Sequence, residues 1–181
     1  MRLPAELTKM IYFIFLFFAQ VITAVVVEEN TVVYIVRHAE ADGGHLSASL
    51  SSWGQQQAQH IKNVFSGSPY PDPIPDKLIA TDINRCTETL KPISIARALP
   101  ILRCKTGIST TQRCFKNSVV TGKTHLYALR SSEMRTFVTS LGATVTAGCP
   151  SPSRSYDQVW KVSWRSTGAK TFECSTMTFP S

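Results

Sequence analysis

Apolar positions in this chain fall into short blocks, some continuous and some at helical spacing, with polar punctuation between them. The block Thr31–Val36 is apolar almost throughout, as a strand covered on both faces should be. Residues 50–65, "LSSWGQQQAQHIKNVF", predict a helix: Ser51 or Ser52 can cap it, and Trp53, Gln57, Ile61 and Val64/Phe65 recur at helical spacing. Residues 66–77 are too rich in proline for a helix or a central strand. "LIAT" (78–81) predicts a second short buried strand. "INRCTETLKPISIARAL" (83–99) predicts a second helix that Pro92 kinks or divides, and "PILRC" (100–104) a third strand.

Residues 103–117 are polar and carry no evident pattern, and "SVVTG" (118–122) predicts a fourth strand. "SSEMRTFVTSLG" (131–142) predicts a helix begun by Ser131 or Ser132 and closed by Gly142, with Met134, Phe137, Val138 and Leu141 as its stripe. "YDQVWKVSW" and "TFECSTMTF" predict two last strands joined by a turn at Gly168. Strands alternating with helices imply a single-domain, three-layer αβα sandwich around a mainly parallel sheet.

The first 24 residues stand apart. A short basic start leads into "MIYFIFLFFAQVITAVVV", and Ile22-Thr23-Ala24 offers a small-residue cleavage site. This order predicts a signal peptide over 1–24 and a mature domain over 25–181, secreted or in the lumen of the secretory pathway. An uncleaved signal anchor is the alternative; after cleavage no stable membrane association is expected. Five cysteines suit an oxidising compartment, where four can form two bridges. Spacing leaves the pairing open, with Cys104 to Cys114 and Cys149 to Cys174 as the local arrangement. No CxxC or clustered Cys/His spacing suggests a metal site. The formal charge of +7 suits an anionic substrate, whereas no basic helix or zinc-finger spacing points to nucleic acid.

The first strand runs straight into Arg37, His38 and Glu40, and the second leads within four residues to Arg85. A parallel sheet gathers the carboxyl ends of its strands, so Arg37, His38 and Arg85 can converge there. Neutral histidine attacks phosphorus, and two guanidiniums can hold the phosphoryl oxygens and lower the histidine's pKa.

With these residues in place the chain resembles the histidine phosphatases, the phosphoglycerate-mutase-like superfamily. "YIVRHAE" is similar to the family's strand and Arg-His signature, "LSSWGQQQA" to its Leu-Ser/Thr-x-x-Gly-x-x-Gln-Ala helix start, and "LIATDINRCTETLKPIS" to its second-arginine segment. "YDQVWKVSW" resembles the late strand of small members. The resemblance implies phosphomonoester hydrolysis without a metal or organic cofactor. His38 would become phosphohistidine, Arg37 and Arg85 would bind phosphate, and Glu40 would support the loop. A small phosphorylated molecule would be the substrate.

Two departures stand out. The family's second histidine follows a later strand, where "SVVTGKTH" offers Lys123 by register, or His125 if the chain bulges. Residues 103–117 contain no Asp or Glu to protonate a leaving group. A catalytically impaired relative, binding phosphorylated ligands or a protein through the same basic pocket, is therefore the alternative expectation.

Overall fold

The structure, a computed structural model, describes residues 30–66, 74–152, 155–165 and 168–179. The expected signal peptide lies outside these residues. Among the described residues no helix is long and apolar enough to cross a membrane.

In chain order the elements are β1 (Thr31–Arg37), α1 (Ser52–Val64), β2 (Lys77–Thr81), α2 (Asn84–Arg97), β3 (Ile101–Cys104), α3 (Ile108–Ser118), β4 (Thr124–Leu129), α4 (Ser131–Ser140), β5 (Gln158–Trp164) and β6 (Thr171–Thr176). The strands form one sheet in the order β3-β2-β4-β1-β5-β6. The first four are mutually parallel, β5 is antiparallel to β1, and β6 is antiparallel to β5.

Alternation along the strands builds the two halves of the core. Val32, Tyr34, Val36, Leu78, Leu126 and Ala128 face one side, where Ile61, Phe65, Leu90 and Ile93 of the α1–α2 layer cover them. Val33, Ile35, Ile79, Tyr127 and Leu129 face the other, against Phe115, Met134, Phe137 and Val138 of the α3–α4 layer. Successive strand residues point to opposite faces, so an all-apolar strand needs helices on both sides. This is the expected three-layer sandwich. Each fully buried Val, Leu, Ile, Phe or Met in it contributes about 1.5–3 kcal/mol of transfer free energy.

Three local expectations change. Pro92 does not divide the second helix, which runs as one element from Asn84 to Arg97. Residues 108–118 form α3 despite their polarity: among its described side chains, the buried ones are Thr111 and Phe115, enough to seat that helix on the sheet. The Cys104–Cys114 disulfide then ties α3 to β3. The fourth strand is "THLYAL", not "SVVTG": α3 runs on to Ser118, and Gly122, at φ +74°, turns the chain before Thr124. The polar pair Thr124-His125 begins this strand yet is buried with the rest of it. His125 fits there because both ring nitrogens are used, Nε2 accepting from Val120 N (3.0 Å) and Nδ1 lying 3.3 Å from Val32 O.

The second bridge, Cys149–Cys174, joins the segment after α4 to β6, and Cys86 is free and buried.

Candidate active site

The segment after β1 is held from three sides. His38 N donates to Leu129 O at 2.9 Å, carrying the β1–β4 ladder one residue past Arg37. Ala39 N donates to Thr89 Oγ1 of α2 (2.8 Å), and Glu40 N to Gln57 Oε1 of α1 (2.8 Å). Ser51 caps α1, accepting from Gly54 N at 3.0 Å while its hydroxyl donates to Glu40 Oε1 at 2.9 Å. At Gly54 a Cβ would sit 1.9 Å from Glu40 O, so only glycine lets the helix approach this closely. The residues of the "LSSWGQQQA" stretch are thus the clamps of the loop that carries His38. Glu40 belongs to that clamp.

His38 is buried, and its Nδ1 lies 2.8 Å from Ala39 O. A carbonyl can only accept, so Nδ1 carries the proton and Nε2 keeps its lone pair. Burial lowers the imidazole's pKa to about 4, and the charges of Arg85 and Arg37 act in the same direction. Its ring is therefore neutral at physiological pH.

Three guanidiniums surround it. Arg85, in the first turn of α2, is buried and donates from Nη1 to His45 O at 2.7 Å. Arg37, at the end of β1, donates from Nη1 to Pro152 O at 3.2 Å, and its Cζ lies 3.8 Å over the Tyr156 ring. Arg130, directly after β4, donates from Nη2 to Glu133 Oε1 at 2.6 Å. Glu133 is buried and also accepts from Thr81 Oγ1 (2.6 Å) and Arg130 N (3.0 Å). That hydrogen bonding raises the Arg130 pKa further and keeps it charged. The Nε atoms of Arg85 and Arg130 are buried with no hydrogen-bond partner. An oxyanion in the cavity would meet the guanidinium groups that line it.

These groups line one cavity of about 320 Å³, with Arg37, His38, Arg85, Arg130, Ser131 and Tyr156 in its wall. None of the described lining residues is a carboxylate. A larger groove of about 770 Å³ between α1 and α2 is lined by Gln55, Gln59, Lys62, Lys91 and Ile95 among others, and contains no histidine or arginine. Chemistry, rather than size, selects the smaller cavity.

Arg37, His38 and Arg85 thus come together as the strand ends predict. Lys123 and His125 do not join them. With β4 starting at Thr124, His125 pairs across from Val33 and Lys77 at the amino edge of the sheet. Lys123 lies just before that edge, 3.9 Å from Asp76. Four residues of strand separate His125 from Leu129 at the carboxyl end, roughly 13 Å at 3.3 Å per residue. The position following β4 belongs instead to Arg130, which the sequence could have revealed had "LYAL" been read as the strand and "RSSE" as the start of the next helix.

A consequence for pH follows from His38. Between pH 6.5 and about 4 the unfolded chain protonates this residue and the folded chain does not, so folding stability falls as pH drops through that window. Up to about 3 kcal/mol should be lost. His60 and His125, both lowered by burial, act in the same sense. Urea midpoints at pH 7 and pH 4.5 should differ less for His38→Asn than for the parent. An equal difference would contradict the assignment.

No family profile and no curated protein sequence matches the chain. Solved structures do. A mycobacterial glucosyl-3-phosphoglycerate phosphatase superposes with a TM-score of 0.58 at 10% identity, covering 82% of this chain and 100% of its own. The protein histidine phosphatase SixA, complexed with tungstate, gives 0.52 at 18% identity, covering 78% of this chain and 94% of its own. A protein described as mycobacterial hydrolase 1 gives 0.57 at 10% identity, over 80% and 97%. The αβα sandwich is therefore a fold already seen in solved phosphatases. It has the fold of the histidine phosphatases, the phosphoglycerate-mutase-like superfamily.

Proposed function

We propose that this protein is a phosphomonoesterase working through a phosphohistidine on His38. The observation that carries this reading is a buried, neutral imidazole with its proton held on Nδ1, in a cavity with three guanidiniums. Nε2 attacks phosphorus in line, the P–O bond to the leaving group breaks, and the departing oxygen takes a proton from water. A water molecule then attacks the phosphohistidine, the P–N bond breaks, and inorganic phosphate leaves with His38 restored. Arg37, Arg85 and Arg130 hold the equatorial oxygens and offset their charge. That structures of similar fold are described with inorganic phosphate and with tungstate supports an oxyanion as the ligand.

Rapid mixing with an aryl phosphate should release a burst of phenol equal to the enzyme present, and the quenched protein should carry phosphate on the peptide containing His38. Absence of both would overturn the reading. A second reading, a module that binds phosphorylated ligands without turning them over, is favoured by the lack of a carboxylate among the described lining residues. Phosphate binding without a burst would select it.

Export belongs to the same proposal. The bridges Cys104–Cys114 and Cys149–Cys174 fit an oxidising compartment. The secreted protein should begin near Val25 on N-terminal sequencing. A membrane-bound chain starting at Met1 would identify an anchor instead.

A further inference from the structure

The segment between α4 and β5 meets the site through two of its residues and meets the sheet through a third. Pro152 O accepts from Arg37 Nη1, and Tyr156 lays its ring under the Arg37 guanidinium, 3.8 Å from Cζ to the ring centroid. The same ring stands 6.0 Å from the His38 ring and forms part of the cavity wall. Cys149, buried in this segment, is bridged to Cys174 of β6. Gln158, at the start of β5, donates from Nε2 to Ser151 O at 3.4 Å and is itself held by Trp160 Nε1 at 3.1 Å.

We propose that Tyr156 is a positioning residue that sets the plane of the Arg37 guanidinium for phosphate, and that the Cys149–Cys174 bridge holds Tyr156 in that role. This rests on the phosphatase reading for its catalytic meaning, but its binding arm stands apart from turnover.

Arg37 leaves β1 at a strand end, so its Cα is fixed by the ladder to β4, but its long side chain has many rotamers. A guanidinium binds a phosphoryl group well only when its plane lets two N–H groups reach two oxygens together. An aromatic face against one side of that plane restricts its tilt, and the carbonyl of Pro152 takes one N–H from the edge. Tyr156 can do this only while its own segment is held. Beyond Leu141 the described residues of that segment form no regular element until Gln158. The disulfide fastens it to β6, which pairs with β5, which pairs in turn with β1. Within the segment, Ser151 is also tied to Gln158 of β5, so the bridge and this hydrogen bond both fasten it to the sheet. Reducing conditions would leave β1, α1 and α2 in place and loosen the wall opposite them.

The test is inorganic phosphate titrated calorimetrically into the mature protein and its variants, with KM and kcat for an aryl phosphate measured alongside. Tyr156→Leu, which removes the ring face, should weaken phosphate binding about five- to tenfold and raise KM by a similar factor, with a smaller change in kcat. Tyr156→Phe keeps the face and should stay within about twofold of the parent. Cys149→Ser/Cys174→Ser should weaken phosphate binding as Tyr156→Leu does, and combining all three changes should add little, because both act through one contact. Cys104→Ser/Cys114→Ser, at the opposite edge strand of the sheet, should leave affinity unchanged at equal foldedness by near-ultraviolet dichroism. Equal phosphate affinity in Tyr156→Leu and the parent overturns the inference, as does full additivity with the cysteine pair. If the cysteine variant does not fold, the comparison of leucine with phenylalanine still decides the role of Tyr156. A parent that binds phosphate without turning over ester would sink the phosphatase reading and leave this one standing.

Discussion

His38→Ala is expected to remove turnover while leaving the fold in place. The residue supplies the only nucleophile in the proposed mechanism, and no other described residue in the cavity wall carries an unprotonated nitrogen. Losing a covalent route through a preorganised nucleophile should slow hydrolysis at least a thousandfold, or about 4 kcal/mol of barrier. The surrounding clamps do not depend on the imidazole: His38 N, Ala39 N and Glu40 N make their bonds through the backbone. Near-ultraviolet dichroism should therefore be retained, and phosphate should still bind to the guanidiniums. Steady-state hydrolysis of an aryl phosphate is the measurement, and a rate within tenfold of the parent would rule out phospho-His38.

What was legible in the sequence, and what was not, divides near the middle of the chain. Up to α2, the residues that define the pattern are also the ones that build the structure. Gly54 is needed for close approach to Glu40, Gln57 holds the Glu40 amide, and Thr89 holds that of Ala39. Because each of these does a local job, the order of strand, loop and helix can be read from them directly. Beyond β3 the signals are displaced. In α3 the described buried residues are Thr111 and Phe115, so neither its length nor its period marks it as a helix. Val119 and Val120 look like a strand but sit between α3 and a turn, with Val120 39% exposed. The true strand hides its start behind Thr124 and His125, whose burial is possible only because backbone groups across the sheet satisfy the histidine. A strand slipped by six residues moves the residue at its carboxyl end, and so Arg130 stayed out of view. Tyr156 was equally hidden, since its contact with Arg37 spans 119 positions and depends on a bridge that spacing alone does not determine.

Arg130 should prove as sensitive as its placement suggests. It follows β4 as His38 follows β1, and the register pairs Arg37 with Leu129, so the two residues leave adjacent strands side by side. Simple truncation would confuse two effects, because Arg130→Ala leaves the buried Glu133 carboxylate without its main partner. An uncompensated buried charge costs roughly 3–5 kcal/mol. Arg130→Met combined with Glu133→Gln removes both charges and keeps volume, so loss of function can be separated from loss of fold. In that background hydrolysis should fall roughly 10²- to 10³-fold, the usual effect of removing a donor aimed at the transferring group. Arg130→His should recover part of it, since an imidazole can still donate to a phosphoryl oxygen from the same strand end. Substitutions at the opposite edge supply the contrast. Lys123→His should leave turnover unchanged, its side chain being half-exposed beside Asp76. His125→Ala should lower the unfolding midpoint, because Val120 N and Val32 O lose their partner, while kcat/KM of the folded fraction is kept. Wild-type turnover in the Arg130→Met/Glu133→Gln protein, or a catalytic collapse at Lys123 or His125 with the fold intact, would show that the third cation of the site lies elsewhere.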